Sequence, residues 1–427
     1  MKLTDHEKSM LDGAQGRARQ KAMELLARYG EALGAERLVE TKNAATVTTV
    51  TNPVVRKVAM EHGMDGVFSR FNLDSDEIVE TPQFEASTCQ LIHGIYRDEA
   101  REFGVPEEAI RLHAQSELFF GRRGVQMLST CTPYQVGNVP VQGEHCAWME
   151  SSAVVYCNAV LGARTNTEGR ESSSAAAVTG RIPYWGLHRP ENRFATHLFR
   201  AEIEVEDMMD WGLFGYYVGE VVQDEIPALD GVRSVPNLAR LKHFGASAAS
   251  SGGVEMYHLP GVTPEARALA QAFGDRQPAA THVYGAAERK VAYDRLNAGA
   301  SDPNVDFIML GCPHDSIEQV WAAARLLEGK RISANTHLWI HTPRAIKEVA
   351  DRSGFTAMIE DAGGRLLSDT CPAISRILPK GVKVVATDSA KQAHYLPAIV
   401  LGTQAWFGSL EDCVNAALTG RWEGGLN

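Results

Sequence analysis

Val305-Asp306-Phe307-Ile308-Met309-Leu310-Gly311-Cys312-Pro313-His314, followed by IEQVWAAARLLEG over 317–329, decides how the second half of this chain folds. A short apolar run bounded by Gly and Pro reads as a strand buried on both faces. The segment behind it has apolar residues at helical spacing and stops on a glycine, so it reads as a helix. The pattern recurs downstream. RISANTHLWI (331–340) leads to PRAIKEVADRSG (343–354), RLLSDT (365–370) follows, and VKVVATDS (382–389) leads to AKQAHY (390–395). Such alternation predicts a parallel α/β part over about residues 290–427.

Cys312 belongs to a set. An apolar run, a cysteine and a proline within two residues also occur in VQMLST before Cys131 and Pro133, and in RLLSDT before Cys371 and Pro372. Proline stops each strand, so each sulfur is expected where a strand ends. In open α/β sheets, ligands bind at those carboxyl ends. Three thiolates there suit a metal or iron–sulfur centre with one coordination position left open. A closed zinc site with His314 as fourth ligand is an alternative, and so are three buried core cysteines. Cys89, Cys146, Cys157 and Cys413 lie in helix-like patterns and read as core.

Other groups could carry chemistry. Ser389 can cap the helix that follows Asp388, and Lys391 adds a positive charge, which together suit a carboxylate or phosphate pocket or an ordinary capped helix. His394 lies on the same segment. Arg164, Thr165 and Asn166 follow an apolar helix over 147–161, and Arg is a two-pronged carboxylate binder. Glu144, His145 and Glu150 could act as acids or bases. His337 and His341 would share one face of a strand, but read as scattered polar positions.

The first part, about 1–250, reads as helical to α/β. Thr4 caps a helix running through Gly16–Leu33, and a strand is expected within 41–50. Helices are expected over 95–112 and 172–180, and FGASAASSGG (244–253) reads as a linker or ligand-hugging loop. The chain has 427 residues, a net charge of -11 and no basic block, which argues against a nucleic-acid partner. No run of 18 apolar residues suggests a membrane span, and MKLTDHEKSMLDG does not read as a signal peptide. Seven cysteines without an export signal point to a reducing cytoplasm.

Five phrases in order resemble the large catalytic subunit of the aconitase X family: STCTPYQVGNVP, ESSAVVYCNAVLGARTN, LGCPHDSIEQV, GRLLSDTCPA and ATDSAKQAHYLPAIVLG. The resemblance implies an aconitase-like α/β architecture of several subdomains with parallel sheets, and an active site at strand carboxyl ends between them. It implies a hydro-lyase acting on a small hydroxy acid: cis-3-hydroxy-L-proline, converted to Δ1-pyrroline-2-carboxylate, or alternatively phosphomevalonate or another hydroxy acid. A separate small swivelling-domain subunit is the implied partner. Cys131, Cys312 and Cys371 match the family's cysteine phrases, which implies ligation of a 2Fe-2S or 4Fe-4S cluster or of mononuclear iron. Ser389, Lys391, His314 and His394 match phrases implied to be catalytic, and Arg164, Thr165, Asn166 and Asp388 match phrases implied to bind substrate. Family members often carry Asn at the position of Asp388. A metal-binding scaffold without catalysis is the alternative from another class, and it would show a closed four-ligand site.

Overall fold

The computed structural model describes residues 1–50, 52–95, 98–274, 276–400 and 402–426. Its C-terminal sheet has five parallel strands in the spatial order Arg365–Leu367, His337–His341, Phe307–Leu310, Val384–Thr387, Gln404–Phe407. The earliest strand in sequence is central. The chain winds outward from it in one direction, then returns to its other side. The order therefore reverses between Phe307–Leu310 and Val384–Thr387, and such a switch leaves a crevice at the strand carboxyl ends. Phe307–Leu310 is buried throughout, as its uninterrupted apolar sequence requires. Ser316 starts the helix Ile317–Leu327 by accepting from the Gln319 N–H in a capping box. Val320, Ala323, Ala324 and Leu327 of that helix pack on Ile308 and Leu310.

Parallel winding is not confined to the last 130 residues. Four strands near the N-terminus run Val125–Gln126, Ser87–Gln90, Asn43–Thr46, Cys146–Trp148, again all parallel with the earliest strand inside. A third sheet places His197–Ala201 between Pro227–Asp230 and Ala280–Tyr284. These strands are three to five residues long or shorter, too brief to register as separate periodic signals.

Local readings hold in part. Thr4 does cap, but it starts a separate helix, Asp5–Leu11, before Arg17–Ala32. The helix expected over 95–112 lies later, at Glu107–Gly121; 98–104 are turns, and 96 and 97 lie outside the described residues. Cys89 and Cys146 sit on strands rather than helices, yet both are fully buried, as are Cys157 and Cys413.

The stretch 244–253 is not a loop. Most of it forms the second half of the helix Leu238–Ser251. Its small residues permit a close crossing with the helix Met208–Val222. A Cβ on Gly215 would meet the Phe244 carbonyl oxygen at 2.3 Å, and one on Gly219 would meet that of Ala248 at 2.4 Å. Composition alone cannot separate flexibility from close packing, because both use Gly, Ala and Ser.

Candidate active site at the cysteine turns

Each cysteine turn contains a residue in the left-handed region just ahead of the sulfur. Ser129 (φ 51°) and Asp369 (φ 61°) stand two residues before Cys131 and Cys371, and Gly311 (φ 86°) stands immediately before Cys312. Such conformations cluster where a backbone must aim a functional group. Gly311 is the tightest: a Cβ there would sit 2.1 Å from the His341 carbonyl oxygen. Gly311→Ala is expected to lose at least about 2 kcal/mol in urea denaturation, because it adds left-handed strain to a clash with fixed backbone.

His314 ties the three turns together. Its Nε2 donates to the Thr370 carbonyl at 3.0 Å, and its Nδ1 accepts from the Thr130 hydroxyl at 2.9 Å. The carbonyl can only accept, which fixes this tautomer. Thr130 precedes Cys131 and Thr370 precedes Cys371, so one buried ring links those turns to that of Cys312. Its own backbone N–H points at the Cys131 sulfur, 3.3 Å away. Burial pushes the imidazole down to about 3, so it is neutral at physiological pH. With both nitrogens engaged, His314 has no nitrogen left for a proton shuttle or for a fourth metal bond, and the Cys₃His alternative loses its histidine.

Burial pushes the three thiols up to about 12, 12 and 11 for Cys131, Cys312 and Cys371. Cys312 raises Cys131, Cys371 raises Cys312, and Cys131 raises Cys371, so the sulfurs lie within one another's electrostatic reach. Lys391 opposes the rise at all three. Its ammonium donates to Glu150 Oε1 at 2.7 Å and to the Ser151 and Ser152 hydroxyls at 3.2 and 3.3 Å. Burial alone would lower Lys391, but Glu150 and Cys312 hold it above its ordinary value. Ser389 caps the helix Ala390–Ile399, as the sequence suggests, accepting from the Gln392 N–H, and it opposes the rise at Cys312. Buried soft donors that repel one another as thiolates, beside a fixed cation, fit a soft metal centre: the metal deprotonates such thiols outright.

A second lysine escapes the sequence reading. Lys242 lies buried in the helix Leu238–Ser251 and donates to the carbonyls of Pro313 and His314 at 3.4 and 2.8 Å and to Gln319 Oε1 at 2.6 Å. Burial lowers its ammonium, opposed by Asp315, Cys131 and Asp388. A lone lysine in an Ala-, Gly- and Ser-rich helix was the available signal. Beside it opens a cleft of about 450 Å³ lined by Tyr134, Gln135, Tyr156, Leu238, Lys242 and Ser316.

Asp388 is also buried, and its Oδ1 has no hydrogen-bond partner. Burial pushes its carboxyl up from 3.8 to about 6, partly countered by its own backbone N–H and by Lys242. A raised carboxyl favours the folded state below the unfolded value and loses that advantage as pH rises through the folded one. Stability is therefore expected to fall between pH 3.8 and about 6 on account of this residue. Asp388→Asn should flatten that segment of a stability–pH profile and leave the protein more stable above it, by on the order of 1–3 kcal/mol.

Other sequence candidates sit elsewhere. Thr165 Oγ1 accepts from the Trp148 N–H and donates to the Asn166 carbonyl. Asn166 holds the 185–187 turn through the Trp185 carbonyl and the Leu187 N–H. Both side chains thus hold backbone of neighbouring segments. Arg164 reaches the His188 carbonyl at 3.3 Å, beside His145, while its Nε is buried without a hydrogen bond. His394 meets the Tyr216 hydroxyl at 3.0 Å on the side of its helix facing Met208–Val222. His341 is buried against the Leu310 carbonyl while His337 is exposed, so the two do not form a pair. Glu144 and His145 serve local contacts, with the Val141 N–H and His188. Glu150, by contrast, belongs to the cysteine site through Lys391.

Soft donors gathered at the switch point of a doubly wound sheet, with contributions from separate sheets, define a multi-subdomain α/β enzyme with its reaction centre at strand carboxyl ends. Comparison with known proteins specifies which. Residues 1–191, 195–294 and 305–419 match the models for the first, second and third aconitase X domains. The phosphomevalonate dehydratase large subunit of Methanocaldococcus jannaschii is 35% identical over 418 residues, covering 96% of this chain and 99% of that one. The cis-3-hydroxy-L-proline dehydratase of Pseudomonas aeruginosa is 34% identical over 434 residues, covering 100% of this chain and 71% of that one. The crystal structure of Thermococcus kodakaraensis aconitase X in its holo-form superimposes with a TM-score of 0.82 at 32% identity, covering 98% of this chain and 100% of that one. The chain belongs to the aconitase X family and is a hydro-lyase. No described helix is long and apolar enough to cross a membrane.

Proposed function

We propose that this chain is the large subunit of a dehydratase that removes water from cis-3-hydroxy-L-proline, with Cys131, Cys312 and Cys371 holding an iron–sulfur cluster. The observation that carries the reading is that one buried ring, that of His314, joins the turns of Cys131 and Cys371 to that of Cys312, with the His314 N–H 3.3 Å from the Cys131 sulfur. Two donors on one ion at about 2.3 Å can be no more than about 4.6 Å apart. Among the described residues the three sulfurs do not form a set within 4.8 Å of one another, which supports a cluster over mononuclear iron. When bound, the centre supplies a Lewis acid for the departing hydroxyl.

The chain's own groups set the stage for that chemistry. Lys391 spends its three donors on Glu150 and two serines, so its charge offsets the sulfurs rather than gripping a ligand. Ser389 takes the Gln392 N–H, and the other first-turn N–H groups of the helix Ala390–Ile399, those of Ala390 and Lys391, have no intrahelical acceptor and suit a carboxylate. Lys242 is likewise committed to protein acceptors. A phosphorylated substrate calls for several uncommitted cations around one pocket, which favours the amino acid. The relatives named as phosphomevalonate dehydratase large subunits, matched along 93–99% of their length, favour the second reading, phosphomevalonate. A small subunit would complete the site and supply the base that takes the alpha proton.

The test is anaerobic co-expression with a small-subunit gene, followed by assays of both substrates. Turnover of cis-3-hydroxy-L-proline only by the pair of subunits is the expected result. Turnover of phosphomevalonate alone would replace the substrate assignment, and full activity of the isolated 427-residue chain would remove the partner from it.

A further inference from the structure

Behind the cysteine turns lies a cluster that the dehydration chemistry does not use. His93 follows the strand Ser87–Gln90, and His113 and Glu117 stand four residues apart on the helix Glu107–Gly121. His93 Nδ1 and His113 Nε2 each lie 3.6 Å from Glu117 Oε1, and among the described residues this is the only set of three such ligand atoms within 4.8 Å of one another. The two rings meet edge to face with centroids 4.4 Å apart. The histidine side chains are 3% and 1% exposed, and that of Glu117 20%.

We propose that His93, His113 and Glu117 bind one divalent transition-metal ion, Zn²⁺ by the character of the donors, as a structural site separate from the cysteines. The spacing is the main argument. Donors on a tetrahedral ion at about 2.0–2.1 Å lie about 3.3 Å apart. The observed 3.6 Å is close to that value and longer than a hydrogen bond between an imidazole and a carboxylate. Two imidazole nitrogens and one carboxylate oxygen are a common donor set for this ion. The Ser129 hydroxyl, 3.2 Å from His93 Nδ1, offers a neighbouring oxygen for the fourth position. Burial keeps His93 well below its ordinary value, so it is neutral, the state that ligates.

The location gives the ion a role. Ser129 is the left-handed residue that begins the Cys131 turn, and Gly94, next to His93, donates its N–H to the carbonyl of Asp369, the left-handed residue that begins the Cys371 turn. An ion fixing His93 would brace the floor beneath two of the three cysteine turns.

The full chain, stripped with a chelator, should be titrated with Co²⁺ and with Zn²⁺, and its metal content measured by mass spectrometry. The expected result, beyond any ion the three cysteines take up, is one equivalent of Co²⁺ showing ligand-field bands without thiolate-to-cobalt charge transfer, and one Zn²⁺ that raises Tm. His113→Gln and Glu117→Gln should each weaken binding by more than about 100-fold, beyond the effect of losing an outer-shell partner. A chain carrying Ser at 131, 312 and 371 should keep the ion. Co²⁺ bound only with thiolate charge transfer, no equivalent retained by the chain lacking the three cysteines, or unchanged affinity in the two variants would overturn the proposal. In the unmodified chain, the absence of any Co²⁺ beyond a thiolate-bound ion decides the matter even where a variant fails to fold. Iron content, measured before the chain is stripped, reports separately on the cysteine centre.

Discussion

Cys371→Ser is expected to yield a folded protein with little iron and a loss of dehydratase activity of about 1,000-fold or more, since Lewis-acid stabilisation of a leaving oxygen is worth several kcal/mol. Serine keeps nearly the volume of cysteine, and the backbone at this position need not change. Cys371 starts the short helix Pro372–Ser375, and its carbonyl accepts from the Ile374 and Ser375 N–H groups, none of which involves the sulfur. Thermal stability should therefore fall much less than activity. Iron analysis, visible absorption and turnover of the co-expressed variant check the prediction. Retention of both iron and activity would remove Cys371 from the ligand set. The same outcome at Cys131 and Cys312 would return all three to the core-cysteine alternative.

Lys391→Met should be costly to folding itself. Removing the ammonium leaves Glu150 buried and ionised, with a side chain only 17% exposed and its partner gone. Losing one member of a buried pair costs about 3–5 kcal/mol. Glu150 would keep the Ser152 hydroxyl and the Ala153 N–H as donors, so the lower end, about 3 kcal/mol, is expected. The double variant Lys391→Met, Glu150→Gln should recover part of the loss, because the stranded charge is gone; urea denaturation of the single and double variants tests this. The pair also carries a pH signature. Burial pushes Glu150 up, but Lys391, Ser152 and the Ala153 N–H together hold it below its ordinary 4.5, whereas Lys391 is raised above 10.5. Its contribution is thus full between about pH 4.5 and 10.5, lost at lower pH as Glu150 protonates and at higher pH as Lys391 deprotonates. A Lys391→Met protein whose stability equals that of the parent would show the pair to be energetically neutral.

Much of the site was written in local sequence because its devices are local. A buried strand, then a glycine, a cysteine and a proline, states where Cys312 sits without knowledge of anything distant. Ser389 caps its helix through a residue three positions away, and the run of apolar residues at 307–310 already required a strand covered on both faces. The βα alternation fixed the parallel sheet of the last part. Strand order was another matter: the reversal that puts Cys312 and Ser389 on one crevice depends on which strands pair, and pairing is set by burial across the whole sheet.

Only the tertiary structure could turn candidates into partners. Glu150 and Lys391 are 241 residues apart, and nothing near either one announces the other. Lys242 stands two residues ahead of a stretch that reads as flexible until the close crossing of two helices explains its glycines and alanines. His314 looked like a fourth ligand or, by resemblance, a catalytic residue, and became a link between turns because Thr130 and Thr370 happen to flank its ring. Arg164, Thr165 and Asn166 looked like a substrate grip, yet Thr165 and Asn166 are occupied in holding backbone of neighbouring segments. The sequence by itself determined which residue types stand at strand ends and helix starts, since backbone geometry and capping act over a few residues. The tertiary structure decided which of those groups meet and which are already satisfied, because burial and long-range hydrogen bonding are properties of the assembled fold.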